Sequence, residues 1–257
     1  MYRARPDDGI AWVTGASSGI GREVALELAR RGFIVAATAR RVAGLEALSA
    51  FSPRIFSYPG DTTRRGAMSR LVSSIEAAHG PIALAFLNAG VYFIAERSGF
   101  SSKVVWRTFA TNVGGTANCL EPVLAAMTRR GRGQIAVTSS LAGYGGIAHS
   151  AAYGSTKAAL IYMAEALRLT YQPEGINIQV VNPGFVRTAM TAQNGFTMPF
   201  IMDAGRAAKL ICDGFEKGGF EIAFPRRLAY TFKAACFMPY DVFFALMRRA
   251  AKGVRWS

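Results

Sequence analysis

Tyr153 and Lys157 stand four residues apart in SAAYGSTKAALIYMAEALRL, a run rich in Ala and Leu. Read as one helix, the run puts a phenol and an ammonium on a single face, one turn apart. A fixed positive charge beside a phenol favours the phenolate and pulls the tyrosine down from about 10 toward a pH at which proton transfer is useful. Tyr153 is therefore a candidate acid/base. The same spacing is common on solvated helix faces, where it does no chemistry, so the surrounding chain must supply the case.

The elements that would position the pair read as alternating strands and helices. GIAWVTGASSGIGREVALELARRG opens as an apolar strand, turns through Gly and Ser, and continues as an amphipathic helix ending at Gly32. Gly15, Gly19 and Gly21 let the backbone turn sharply and approach a ligand, and the free N–H groups at the helix start can hold a pyrophosphate. The next strand, FIVAATARR, ends on Arg40 and Arg41, where an NAD-binding unit usually presents a carboxylate to the ribose diol. An arginine fork there pairs with a 2′-phosphate and so points to NADP(H) rather than NAD(H); a solvated pair of charges is the plain alternative.

RIFSYPGD is a third strand ending at Asp61, followed by a helix from about Thr63 to Ala78 and a turn at His79. IALAFLNAG is a nearly continuous apolar strand, as expected of a parallel strand covered on both faces. A long helical region over 101–130 holds Thr111-Asn112-Val113-Gly114-Gly115, whose Asn and glycines are unfavourable in a helix and call for a packing or functional reason. GQIAVTSSLAG and GINIQVVNPGFVRT are strands five and six, and GFEIAFP at 219–225 is the last. The pattern predicts an α/β doubly wound parallel sheet, a Rossmann fold in one domain, whose ligands bind beyond the C-terminal strand ends. Gly15, Arg40, Asp61, Asn88, Ser140 and Pro183 each follow such a strand and can share one crevice.

The chain has 257 residues, 51% of them hydrophobic, and no low-complexity stretch, which fits a well-buried globular protein. Thirty Lys plus Arg against sixteen Asp plus Glu give +14, a charge that draws anions of any kind: a dinucleotide phosphate, an acidic substrate or a phospholipid surface. With no helix-turn-helix, finger spacing or RNA-binding signature, nucleic acid is not expected as a partner. Cys119, Cys212 and Cys236 have no metal-type spacing and are expected as buried free thiols, with no metal site. MYRARPDDGIAWVTG enters a strand directly without a signal-peptide core, so a cytoplasmic setting is expected.

Over residues 8–225 the chain resembles the short-chain dehydrogenase/reductase family in its compact form. The resemblance rests on TGASSGIG at 14–21, Asp61, NAG at 88–90, Asn112, Ser140, YGSTK at 153–157 and NPGFVRT at 182–188. It implies an enzyme acting on CH–OH groups with NAD(P) through a tetrad of Asn112, Ser140, Tyr153 and Lys157. Ser140 would hold the substrate oxygen, Tyr153 would exchange its proton, and Lys157 would lower the tyrosine pKa and hold the nicotinamide ribose. The carbonyl near Asn112, in a broken helical turn, would anchor a proton-relaying water. By the same comparison Gly15, Ser17, Ser18, Ile20 and Gly21 lie along the phosphates, Asp61 meets the adenine, and Asn88, Ala89 and Gly90 flank its ribose. Pro183, Gly184, Val186 and Thr188 orient the carboxamide. Leu87 departs from the usual NNAG, and Ser18 stands where many NADP-dependent relatives carry a cation, so specificity rests on Arg40 and Arg41.

The segment 188–204 resembles a substrate lid; Met190, Phe196, Met198, Phe200 and Met202 would form an apolar wall suited to a hydrophobic, lipid-like ketone or alcohol. Tyr92, Phe93 and His149 are further candidates to shape the substrate, His149 as a loop residue and not as the acid. Residues 226–257 form a basic extension, distinct from a catalytic unit over 1–225. From Asp241, a plausible N-cap, a helix would set Phe243, Leu246 and Met247 against Arg248, Arg249 and Lys252. Such a helix packs on its own domain or a partner, or contacts an anionic membrane peripherally. A homo-oligomer is expected. The competing functions are a dinucleotide-binding sensor or scaffold without turnover, and a sugar-nucleotide epimerase or dehydratase, for whose larger substrate domain the chain is short.

Overall fold

The computed structural model describes residues 1–93, 99–195 and 197–252, with backbone alone for 250–252. Seven strands form one parallel sheet: β1 (Ile10–Thr14), β2 (Val35–Thr38), β3 (Ile55–Ser57), β4 (Ile82–Leu87), β5 (Gly133–Thr138), β6 (Ile176–Pro183) and β9 (Glu221–Phe224). Two-residue strands β7 (Val186–Arg187) and β8 (Met202–Asp203) pair separately. The sheet order is β3–β2–β1–β4–β5–β6–β9. The direction of winding therefore reverses between β1 and β4, and that reversal opens a crevice at the C-terminal strand ends.

Apolar runs become strands here because both faces are covered: every residue of β1, β4, β5 and β6 is buried. On one face α1 (Gly19–Arg30), α2 (Val42–Ser49) and α7 (Ala204–Lys217) bury Val24, Leu28, Leu45, Ile211 and Phe215. On the other, α3 (Arg65–His79), α5 (Gly115–Arg130) and α6 (Ala151–Tyr171) bury Met68, Ile75, Val123, Met127 and Leu160, and Leu87 sits among them. The central strands also carry polar side chains that the apolar reading did not anticipate. Gln134 on β5 donates to Oε1 of Gln179 on β6 at 2.6 Å and to the Phe215 carbonyl at 3.0 Å, so these buried amides tie the sheet to α7.

The region expected as one helix over 101–130 is divided. Helix α4 (Ser102–Phe109) runs into a π-turn at Ala110–Gly114 and then into α5. A Cβ on Gly115 would stand 2.7 Å from Oγ1 of Thr62, so one of the two glycines has a packing reason. Beyond β9 the chain forms α8 (Arg226–Cys236) and α9 (Tyr240–Lys252). Asp241 lies inside the first turn of α9 rather than capping it, because the helix begins one residue earlier, after Pro239. Phe243 is buried, whereas Phe244 and Leu246 are exposed, so the body covers only the centre of the apolar face. Cys119 and Cys212 are buried; Cys236, expected with them, is exposed because it lies at the end of α8 on the surface. Among the described residues no helix is long and apolar enough to cross a membrane.

Candidate active site

The strand ends converge on an open crevice of about 410 Å³. Gly15, Ser17, Ser18 and Ile20 line it at one end, with Arg40, Arg41 and Asp61; Asn88, Ala89 and Gly90 follow, then Ser140, Tyr153 and Lys157, and finally Pro183, Gly184, Val186 and Thr188. Two expected residues stand behind the lining. Gly21 packs beneath the turn, where a Cβ would meet the Gly15 carbonyl at 2.4 Å and Nδ2 of Asn88 at 2.6 Å. Asn112 is fully buried behind Gly90, with its Oδ1 accepting from the Val91 N–H at 2.7 Å and its Nδ2 donating to the Val91 carbonyl and the Thr156 hydroxyl, each at 3.1 Å. Its side chain splices the π-turn to the exit of β4 and to α6. Its carbonyl accepts from the Thr116 hydroxyl at 2.7 Å.

The glycine turn fits a dinucleotide. Gly15 and Gly19 have φ of +69° and +58°, a region that disfavours side chains, and a Cβ on Gly15 would lie 2.9 Å from Cα of Ala89. Ser18 precedes α1 without a side-chain cap, so the first N–H groups of that helix remain as donors for a pyrophosphate. Arg41 donates from Nη2 to the Ser18 hydroxyl at 2.9 Å. The cation missing from the sequence at position 18 is thereby brought to the same place by a neighbouring strand end. At Asp61, burial raises the carboxyl pKa, but hydrogen bonds from the Thr63 N–H and hydroxyl, with Arg40 and Arg64 nearby, hold it below its ordinary value. Asn88 spans the strand ends, donating to the Thr14 carbonyl at 3.3 Å and accepting from Thr138 at 3.3 Å.

Ser140 begins a 3₁₀ turn after β5; its Oγ accepts from the Ala142 N–H at 3.1 Å and donates to the Pro183 carbonyl at 3.3 Å, and the hydroxyl lies near the Tyr153 phenol. Tyr153 is half-buried, and its ring meets Tyr92 edge-on at 5.2 Å between centroids. Lys157, 4% exposed, donates to the Thr138 carbonyl at 2.9 Å, with Nζ 5.4 Å from the Tyr153 ring centroid. Burial works against the charge relation expected from the sequence: it pushes the Tyr153 phenol up to about 12, opposed by the nearby Ser140 hydroxyl, and drives the Lys157 ammonium down to about 8. The ammonium is turned toward a backbone carbonyl, so desolvation acts on each group separately and favours both neutral forms.

Of the apolar wall expected over 188–204, Met190 lines the crevice, Met202 packs on the main core and Phe200 is exposed; Phe196 lies outside the described residues. His149 is exposed, at φ +58°, and is not part of the lining. Thr62, Val91 and Thr111 line the crevice without having been singled out. Thr62 and Val91 follow strands and Thr111 lies within the π-turn, which is the positional signal that could have found them.

A sequence model described as short chain dehydrogenase matches residues 9–198. An uncharacterized oxidoreductase of Myxococcus xanthus is 38% identical over 243 residues, covering 93% of this chain and 96% of the relative. A ketoacyl reductase of Nostoc, HetN, is 32% identical over 192 residues, covering 73% of this chain and 67% of that one. Among solved structures, a short-chain dehydrogenase from Streptomyces avermitilis matches with a TM-score of 0.78 at 25% identity, over 98% of this chain and 99% of that one. A short chain dehydrogenase/reductase from Burkholderia phymatum, in complex with NAD, has the same fold, with a TM-score of 0.79 at 21% identity over 91% of this chain and 94% of that one.

The buried lysine gives a pH signature. The unfolded chain holds the Lys157 proton up to about 10.5 and the folded chain releases it near 8, so between those values the unfolded state binds more protons and stability rises with pH. Urea denaturation of the cofactor-free protein should show the parent gaining on Lys157→Met by on the order of 1 kcal/mol per pH unit from pH 8 to 9.5. A difference that is flat or falls over that range contradicts the buried ammonium.

Proposed function

Because the chain belongs to the short-chain dehydrogenase family and is an oxidoreductase acting on CH–OH groups with a nicotinamide dinucleotide, we propose that it interconverts a hydrophobic, lipid-like ketone and its secondary alcohol, using NADP(H). The observation that carries this reading is that Ser140 and Tyr153 line one crevice beside a buried Lys157, with Arg40 and Arg41 in the same lining. The dinucleotide supplies or accepts the hydride when bound. Gly15, Ser17, Ile20 and the start of α1 hold its phosphates, Arg40 and Arg41 its 2′-phosphate, and Asp61 its adenine.

Ser140 donates its single hydroxyl proton to the substrate oxygen and so fixes the carbonyl in reach of Tyr153. Tyr153 hands its proton to that oxygen, or takes it back in the oxidising direction. Burial raises the phenol pKa and so favours its protonated form. Lys157 spends one N–H on the Thr138 carbonyl and has two left for the ribose hydroxyls of the dinucleotide. The Asn112 carbonyl, in the π-turn, holds a water that returns protons from solvent. Tyr92, Val91 and Met190 give the substrate end an apolar character, and residues 188–204 close over it as a lid of a catalytic unit spanning 1–225. The ketoacyl reductase among the relatives agrees with a lipid-like substrate.

Two contact surfaces belong to the same reading. Exposed Trp106, Tyr162 and Leu169 on α4 and α6 serve contact between copies of the chain. In the 226–257 extension, exposed Phe237, Tyr240 and Phe244, with Arg248 and Arg249, rest on an anionic lipid surface.

Tyr153→Phe should lower kcat for NADPH-dependent reduction of 3-oxoacyl compounds, long-chain ketones or steroids by about 10²–10⁴-fold while leaving NADPH affinity unchanged. A variant that kept every function of the parent would make the protein a dinucleotide sensor instead. Replacing Arg40 and Arg41 with Ala should weaken NADPH binding about tenfold or more and NADH binding little; an unchanged preference, read by nucleotide fluorescence titration, removes the NADP(H) assignment. Phosphatidylglycerol vesicles should sediment the parent and release a Phe237→Ser, Tyr240→Ser, Phe244→Ser variant, and no sedimentation of the parent refutes the lipid contact. The sedimentation-velocity mass reports the oligomer in the same preparation.

A further inference from the structure

Ser140 is held from two sides, and both sides lead to one carboxylate outside the crevice. On its own side, the 3₁₀ turn that starts at Ser140 delivers Tyr144, whose hydroxyl donates to Oε1 of Glu221 at 2.5 Å. On the other side stands the Pro183 carbonyl, 3.3 Å from Oγ of Ser140. The residue before it, Asn182, is fully buried and donates from Nδ2 to the same Oε1 at 2.7 Å and to the Tyr144 hydroxyl at 3.3 Å. The second oxygen of Glu221 accepts from the Lys233 ammonium on α8.

The charges are arranged so that three donors converge on the Glu221 carboxylate. Burial raises the Glu221 pKa, but the hydrogen bonds from Lys233, Tyr144 and Asn182 outweigh it and keep the carboxyl ionised. Burial and the neighbouring carboxylate raise the Tyr144 phenol, so it stays a donor. Lys233 also lies over the Tyr144 ring, 5.1 Å from its centroid, and Cys236 donates from Sγ to the Tyr144 carbonyl at 3.1 Å. The next residue, Gly145, leaves no room: a Cβ there would stand 2.9 Å from Sγ of Cys236 and 3.1 Å from Cζ of Phe243 on α9. Side chain, backbone and following residue of the Ser140 turn are thus all backed by the two C-terminal helices.

We infer that Glu221 and Lys233 are positioning residues for Ser140, and that helix α8 serves as a clasp setting the distance between the serine hydroxyl and the Tyr153 phenol. Both residues lie beyond the stretch 9–198 that the family model matches. The physical reason is leverage. The turn after β5 and the exit of β6 are separate segments, and a serine suspended between them keeps its position only when the two are fixed to each other; the ionised carboxylate does this with two hydrogen bonds to one oxygen. Lys233 neutralises that charge, so the carboxylate stays in place in a half-buried site instead of turning to solvent. A misplacement of an ångström at a reacting group costs about 10²-fold in rate, which makes an anchor outside the crevice a matter of catalysis as well as stability.

The inference rests on Ser140 holding the substrate oxygen, and the test separates the two. Glu221→Gln and Lys233→Met should each fold, bind NADPH with the parental dissociation constant and lower kcat about 10- to 100-fold with a smaller change in KM. Lys233→Arg, which restores a cation to the same oxygen, should recover most of kcat. Hydrogen exchange followed by mass spectrometry should show faster exchange over 140–146 in the Gln and Met variants than in the parent. Parental kcat together with parental exchange in soluble variants overturns the clasp and leaves the proposed reaction standing. If the parent reduces no carbonyl substrate, the reaction fails, and exchange over 140–146 still decides the clasp: faster in the variants it stands, unchanged it falls. If a variant does not fold, Tyr144→Phe removes one of the two bonds to Oε1 without altering charge and is read by the same kcat and exchange measurements.

Discussion

The site hangs on one hydrogen bond, from the ammonium of Lys157 to the carbonyl of Thr138. An amino group removed from water must find an acceptor, and here it is the last carbonyl of β5. Ser139 closes the contact from the other direction, donating its hydroxyl to the Lys157 carbonyl at 2.7 Å. Helix α6 is thereby fixed against the end of β5 in rotation and in height. Tyr153, one turn earlier on the same helix, then has no choice but to face Ser140, which is two residues beyond Thr138 on the strand exit.

The same desolvation that fixes the geometry also sets the protonation states. A half-buried phenol and a buried amine each move toward neutrality, the phenol up and the ammonium down. The positive field needed for an anionic dinucleotide comes from elsewhere, from Arg40 and from Arg41 folded over the glycine turn onto Ser18. The cationic Arg40 and Arg41 and the Tyr153–Lys157 pair line one crevice.

The C-terminal helices give the serine end its outer support. Lys233, Cys236 and Phe243 reach the turn after Ser140 through a side chain, a backbone carbonyl and a glycine. In the sequence these residues look like an appended basic amphipathic tail. In the folded protein the centre of that apolar face is spent on the body, and its flanks, Tyr240, Phe244 and Leu246, are what remain exposed.

The chain's own pattern was enough to determine the alternating strands and helices, the parallel sheet and the ends at which functional residues collect, because burial on both faces writes itself as continuous apolar runs between glycine turns. It was also enough to place Tyr153 and Lys157 on one helical face, since that follows from a period of 3.6 alone. Only the tertiary structure decided where the lysine's charge goes. Four-residue spacing fixes a neighbour along the helix but says nothing of the carbonyl on another strand that takes the ammonium, nor of the burial that pushes the phenol up. The hidden position of Asn112, the exposure of Cys236 and the junction at Glu221 were illegible for the same reason: each depends on residues from 20 to 90 positions away, and linear order carries no signal of which polar atoms will meet once the sheet has closed.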